Sequence, residues 1–149
     1  MPSRTTFRVM NRAHRLALAV TRGRFGWRGN GMPMLELTTT GRKSGEKRTT
    51  MLSSPVQRGA EIIVAASRGG DPVHPAWYLN LTANPDVEVV FAGGERQAMR
   101  ARTATPDERA ELWATITREH PNYAGYQRRT DREIPVVVLD PIGQATTKR

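Results

Sequence analysis

The chain has 149 residues, of which 38% are hydrophobic and 25% charged, a balance that suits one globular domain with its own core and excludes intrinsic disorder. It contains no cysteine, which excludes a disulfide framework, thiolate metal sites and a cysteine nucleophile. A formal charge of +9 and a sequence pI near 11.1 imply an anionic partner: nucleic acid, anionic lipid or a polyanionic small molecule. No apolar run is long enough to span a bilayer and the first residues lack a secretory pattern, so the cytoplasm is the expected compartment.

Residues 5–22 read as a helix. At about 100° per residue Arg4, Arg8, Arg12, Arg15 and Arg22 share one narrow face, and Phe7, Val9, Met10, Leu16 and Val20 lie opposite. Three readings follow: a helix packed on the domain with a solvated arginine face, a peripheral anchor on anionic lipid at the inner face of the cell membrane, or a nucleic-acid contact. The glycine-rich residues 23–31, with Phe25 and Trp27, read as a linker or lid. The expected division is therefore 1–31 for the basic helix and linker, and 32–149 for the main domain.

Strand signals dominate that domain. Residues 34–40 and 48–54 predict a hairpin around a basic turn, and 61–67 a buried strand. Residues 86–92 and 95–103 predict a second hairpin around Gly93-Gly94, and 134–139 a final strand. A short helix is expected over 77–83, ending before Asn84-Pro85. A longer one is expected from Pro106 to Glu119, opened by the capping box Thr105-Pro106-Asp107-Glu108. About six strands with few helices and no strand–helix alternation give an α+β fold, an antiparallel barrel with added helices.

Three constellations could carry chemistry. In the first, Arg42, Lys43, Lys47 and Arg48 surround Ser44 and Gly45 in a glycine-bounded turn. Cations, a hydroxyl and free amides concentrated there suit a phosphate or several carboxylates, although an ordinary charged hairpin tip has the same composition. Neither Walker-loop nor dinucleotide-fingerprint spacing is present. In the second, a buried strand ends in Ala65-Ala66-Ser67-Arg68-Gly69-Gly70, followed by His74-Pro75-Ala76-Trp77-Tyr78-Leu79-Asn80. Small side chains let a flat ring lie against the backbone, with Trp77 and Tyr78 as walls of a site or as core. His74 has no second metal ligand nearby and reads as a loop histidine. In the third, His120 precedes Tyr123 and Tyr126, whose hydroxyls share a face if the segment is helical. No nucleophile elbow and no carboxylate pair appears, so the chain offers positioning groups and leaves the reactive chemistry to a cofactor.

The blocks Leu37–Gly45 (LTTTGRKSG), Ala65-Ala66-Ser67, Pro75–Leu81 (PAWYLNL) and Ala83-Asn84-Pro85 together resemble the deazaflavin-dependent nitroreductase family of actinobacteria, over residues 35–141. The resemblance implies a split β-barrel of the flavin-binding oxidoreductase type and the 8-hydroxy-5-deazaflavin cofactor, coenzyme F-420, whose phosphodiester and oligoglutamate tail are strongly anionic. It implies that Arg42, Lys43, Ser44 and Arg48 grip the phosphate and tail. Thr49, Thr50, Met51, Leu52 and Ser53 would run along the cofactor. Ala65, Ala66, Ser67, Arg68, Ala76, Trp77, Tyr78, Leu79 and Asn80 would line the ring. It places Ser53, His120, Tyr123 and Tyr126 at the substrate and makes Ser67, Tyr123 and Tyr126 the catalytic candidates. His120 and Ser53 stand where some nitroimidazole-reducing relatives carry tyrosine, so the pocket is less aromatic.

The function so implied is hydride transfer from C5 of the reduced deazaflavin to an electron-poor acceptor such as a quinone or a nitro compound, with a proton from water, a tyrosine or Ser67. No metal is expected, and the chain is expected as a monomer or homodimer. A split-barrel protein binding FMN is the alternative enzyme. A basic nucleic-acid module is the alternative from another class, disfavoured because strand-borne aromatics are scarce.

Overall fold

A computed structural model describes residues 28–29 and 31–142; the basic helix expected over 5–22 lies outside them. Eight strands form: β1 (Arg28–Gly29), β2 (Met32–Thr40), β3 (Lys47–Ser53), β4 (Val56–Arg58), β5 (Glu61–Ala65), β6 (Asp86–Phe91), β7 (Arg96–Thr103) and β8 (Val136–Pro141). Three α-helices interrupt them: α1 (Ala76–Ala83), α2 (Pro106–Glu119) and α3 (Asn122–Arg128). The two hairpins, the two long strands and the first two helices match the sequence expectation to within two residues at most ends. The short strands β1 and β4 were not foreseen.

All strand pairs are antiparallel, in the order β3–β2–β6–β7–β8–β5–β4, with β1 on the start of β2. β3 and β4 sit at opposite ends of this order, yet only Ser54 and Pro55 separate them in the chain. The Ser53 and Val56 Cα atoms, three steps apart, can be separated by at most about 11 Å. The sheet must therefore curl until its edges nearly meet, which makes an open barrel. Ser54 fixes the corner. It is fully buried, its amide donates to the Pro33 carbonyl (2.9 Å), and its hydroxyl lies 2.7 Å from the Ile63 carbonyl and 3.0 Å from that of Val56.

Strand alternation sorts the side chains into two cores. Leu35, Leu37, Ile62, Val64, Val87, Val89, Met99, Val137 and Leu139 fill the barrel, with Trp77, Tyr78 and Leu81 of α1 packed on them. The intervening residues of β5 and β8 (Ile63, Val136, Val138) face outward and are covered by Leu112 and Ile116 of α2 and Tyr123 of α3. Both faces of β8 are buried, which is why it reads as the unbroken run Val136-Val137-Val138-Leu139. On β2, β6 and β7 the outer face is solvated, and Arg96 crosses to Glu36 (3.1 Å) and Glu88 (3.5 Å).

The start of α2 is fastened electrostatically. The capping box forms, with Thr105 Oγ1 accepting from the Glu108 amide and Glu108 Oε1 accepting from the Thr105 amide. The same carboxylate takes a bidentate pair from Arg102 (2.6 and 3.0 Å) and a third bond from Arg58 (2.7 Å). These bonds, Arg102 first, hold the Glu108 pKa down at about 2 and raise those of both arginines.

Candidate active site

The basic turn is the tip of the β2–β3 hairpin. Gly41 donates to the Glu46 carbonyl (2.7 Å) and Gly45 to the Gly41 carbonyl (2.8 Å). Gly45 has φ +75°, a left-handed conformation that favours glycine. At Gly41 a Cβ would come within 2.7 Å of Ser44 Oγ and 3.2 Å of the Glu46 carbonyl, so a larger residue would have to turn the Ser44 hydroxyl aside. Ser44 Oγ accepts from the Glu46 amide (3.1 Å), which leaves its own O–H to donate outward. Arg42, Lys43, Lys47 and Arg48 are all exposed. Arg48 pairs with Glu46 at 3.3 Å, an exposed contact weak enough to release its arginine to a stronger anion. Four cations against one carboxylate leave the tip strongly positive.

Asn80 ties this tip to α1. Its Oδ1 accepts from the Arg42 amide (3.1 Å) and from Arg42 Nη1 (2.8 Å), and its Nδ2 donates to Thr39 Oγ1 (3.3 Å). With only 4% of its surface exposed, Asn80 holds the turn in place. Along β3, Thr49 bonds Thr38 (3.1 Å between hydroxyls) and Met51 is buried. Thr50, Leu52 and Ser53 are half-buried on a strand whose other edge carries no partner strand among the described residues.

The loop between β5 and α1 completes the arrangement. Arg68, Gly69 and Gly70 take φ of +47°, +65° and +86°, three left-handed residues in a row. For Arg68 this conformation costs on the order of 1–2 kcal/mol. Gly70 is required by space as well, because a Cβ there would lie 2.7 Å from the Tyr126 carbonyl. The loop thus abuts α3. Ala66 and Ser67 are buried, and Ala65 and Arg68 half-buried. Next along the chain, Ala76 is exposed and Trp77, Tyr78 and Leu79 are half-buried on α1. The His74 ring lies 5.0 Å from that of Tyr78, whose hydroxyl is 3.1 Å from Thr103 Oγ1.

The loop's chief fastening was not foreseen from sequence. Arg132, on the segment before β8, donates to the carbonyls of Asp71 (2.8 Å), Ala66 (3.1 Å) and Ser67 (2.8 Å). Its Nη1 is also 3.1 Å from His74 Nδ1. A guanidinium can only donate, so Nδ1 accepts and the His74 proton sits on Nε2. Burial, and then the nearby Arg132 charge, lower the His74 pKa, which keeps the ring neutral.

The third constellation divides. α3 does form, and its tyrosine rings stack edge to face at 5.6 Å. Tyr123, however, is 6% exposed, with its hydroxyl against Met32 Sδ (3.8 Å) and its pKa pushed up to about 12 by burial. It is a core residue, and the two hydroxyls do not share one open face as expected. Tyr126 is half-buried, accepts from Asn122 Nδ2 (3.3 Å), and carries Arg129 over its ring at 5.8 Å. His120 is half-buried at the end of α2, 6.5 Å from the Tyr123 ring. Direct contacts therefore link the basic turn to α1, α1 to the 66–74 loop, and that loop to α3. Among the described residues no group of His, Asp and Glu is placed to hold a metal ion.

Comparison with known proteins identifies the family. Residues 10–141 match the family model described as F420H(2)-dependent quinone reductase. An F420H(2)-dependent quinone reductase of Mycobacterium tuberculosis is 43% identical over 132 residues, covering 86% of this chain and 87% of its own. A solved F420-H2 dependent reductase shares 40% identity and a TM-score of 0.62 over 72% of this chain and 94% of its own. Another solved relative, a domain-swapped dimer, shares 35% identity and a TM-score of 0.64 over 86% and 96%. The donor set fits the cofactor these names carry: an exposed cationic turn suits its polyanionic tail, and a small-residue loop beside aromatic α1 suits a flat ring. The chain belongs to the F420H(2)-dependent quinone reductase family, and coenzyme F-420 is its redox cofactor.

Proposed function

We propose that this protein reduces a quinone with reduced coenzyme F-420 at the barrel end where the basic turn, the 66–74 loop and α1 converge. The observation that supports this reading is the Asn80–Arg42 pair of bonds, which ties the cationic turn to α1, the helix that follows the small-residue loop. Arg42, Lys43, Ser44 and Arg48 hold the phosphodiester and glutamate carboxylates, with Lys47 adding charge. Thr49, Thr50, Met51, Leu52 and Ser53 border the cofactor along β3. Ala65, Ala66, Ser67 and Arg68 support one side of the ring, and Ala76, Trp77, Tyr78 and Leu79 flank it.

Bound there, the reduced cofactor supplies a hydride. The chain's own task is orientation, exclusion of water and delivery of a proton to the reduced acceptor. Tyr126 supplies the accessible phenol near the acceptor, with Ser53 and His120 bordering it. Tyr123 supports the Tyr126 ring from the core and donates no proton, since its hydroxyl is occupied and hard to ionise.

The quinone reading is favoured over a nitro acceptor because the related proteins are named for quinones. A lipid-soluble quinone also gives a role to the arginine face expected over 5–22, as a peripheral contact with anionic lipid. No described helix is long and apolar enough to cross a membrane. The domain-swapped relative favours a homodimer. Anaerobic assays of reduced cofactor with menaquinone and with nitroimidazole test the acceptor. Saturable oxidation by the quinone is expected; turnover with the nitro compound alone would overturn that assignment.

A further inference from the structure

Arg132 reaches the loop from 58 to 66 residues away in sequence and engages three of its carbonyls and one of its rings. No other described side chain touches the loop backbone so extensively. The consequence falls on Ser67. No peptide bond among the described residues is cis, and in a trans peptide the C=O and the following N–H point in opposite directions. Once the Ala66 carbonyl is turned onto Arg132, the Ser67 N–H must face away from the guanidinium. Among the described residues neither that N–H nor the Ser67 hydroxyl has a hydrogen-bond partner, although Ser67 is only 9% exposed. Leaving one such buried donor unmatched is destabilising. Two on one residue, next to a strained left-handed turn, mark a place where a ligand atom completes the bonding.

We propose that Arg132 is the positioning residue of this reductase: it turns the loop so that the Ser67 amide and hydroxyl jointly receive one oxygen atom of the reacting pair. This rests on the reading above that the ring and acceptor meet at the loop. Arg132 itself faces the loop's interior and touches neither reactant. Lysine cannot replace it, because a compact ammonium cannot reach four acceptors spread around a planar fork.

The test uses the full-length protein with Arg132→Lys, Arg132→Met and Ser67→Ala, singly and combined. First, without any activity measurement, the Ser67 amide resonance is followed as oxidised cofactor and then menaquinone are added. It is expected to shift in wild type and to shift by less than half as much in Arg132→Lys. The His74 ring nitrogens, read in cofactor-free protein, should show the Nε2–H form in wild type and a mixture in both variants. Second, kcat is expected to fall 10- to 100-fold in the Arg132 variants while the KM for reduced cofactor changes less than about threefold, since the basic turn is untouched. Adding Ser67→Ala to Arg132→Met should cost less than Ser67→Ala costs alone, because both act through one residue.

Wild-type kcat in folded Arg132→Met, or losses that simply multiply, would overturn the proposal. Should the methionine variant fail to fold, the lysine variant decides by the same comparisons. If wild type neither binds nor oxidises the cofactor, the functional reading fails. The His74 nitrogens then still decide whether the Arg132 clamp exists.

Discussion

Replacing Asn80 separates the stability of the basic turn from its charge. Asn80→Ala removes one charge-assisted bond to Arg42 Nη1 and two neutral ones, to the Arg42 amide and Thr39. At about 1.5–2 kcal/mol for the first and about 0.5–1 for each neutral bond, the gross loss is about 3 kcal/mol. Water reaching the exposed Arg42 recovers part of it, leaving about 2 kcal/mol, or roughly 4–8 °C in Tm for a domain of this size. Asn80→Asp keeps both acceptor bonds to Arg42, and Thr39 can turn its hydroxyl to donate, so little stability is lost. It nevertheless adds a negative charge under the anion-binding tip. In the alanine variant the cofactor should bind severalfold more weakly, because the turn must first be ordered. The aspartate variant should bind it about tenfold more weakly at low salt and recover toward wild type as salt screens the added charge. Urea melts and fluorescence titration with the oxidised cofactor read both effects. An aspartate variant that binds as tightly as wild type at low salt would refute the reasoning, because the tail would then not sit near Asn80.

Four further outcomes are expected. Lys43→Ala with Arg48→Ala should weaken cofactor binding at least 30-fold at low salt and flatten its salt dependence, read by the same titration. Glu108→Gln should destabilise the fold by about 2–3 kcal/mol at pH 7, because Glu108 titrates near 2 when folded against 4.5 as a free group. Its contribution is present above pH 4.5 and fades as pH falls toward 2, so urea melts of the two proteins should converge there. Tyr126→Phe should lower kcat about tenfold with quinone, whereas Tyr123→Phe, which loses only a weak contact to Met32 Sδ, should stay within about twofold in steady-state assays. Gly70→Ala should cost at least 2 kcal/mol in thermal melts, since φ is +86° and the Tyr126 carbonyl occupies the space of a Cβ.

The elements legible in the sequence are those whose determinants are local. The α2 capping box is written in four adjacent residues, and the helix forms over Pro106–Glu119 as expected. The unbroken run of β8 and the glycine-bounded turn were readable for the same reason. The short strand β4 was missed because three residues have too little periodicity to register, and its position follows from the curl of the sheet at Ser54. Arg132 was missed because its role is a set of contacts to backbone carbonyls about sixty residues away, and a carbonyl leaves no mark on side-chain identity. It stands in the charged stretch 128–133, where nothing in side-chain identity singles it out. The Tyr123–Tyr126 pair shows the opposite limit. Their spacing correctly predicted one helical surface, but only tertiary packing decides which ring is drawn into the core under α2. Asn80 lies inside the motif expected to line the ring, and its bonds to Arg42 and Thr39 across to the neighbouring turn left no mark in that motif.

The central claim is that the turn, the 66–74 loop and α1 make one cofactor site. The most direct measurement is an amide chemical-shift map of the protein titrated with oxidised coenzyme F-420. Saturable shifts confined to residues 41–53, 65–70 and 76–80, with one common affinity, are predicted. Shifts gathered instead around the shallow surface cavity lined by Leu81, Thr82, Pro85 and Ala101, with the basic turn unmoved, would contradict it.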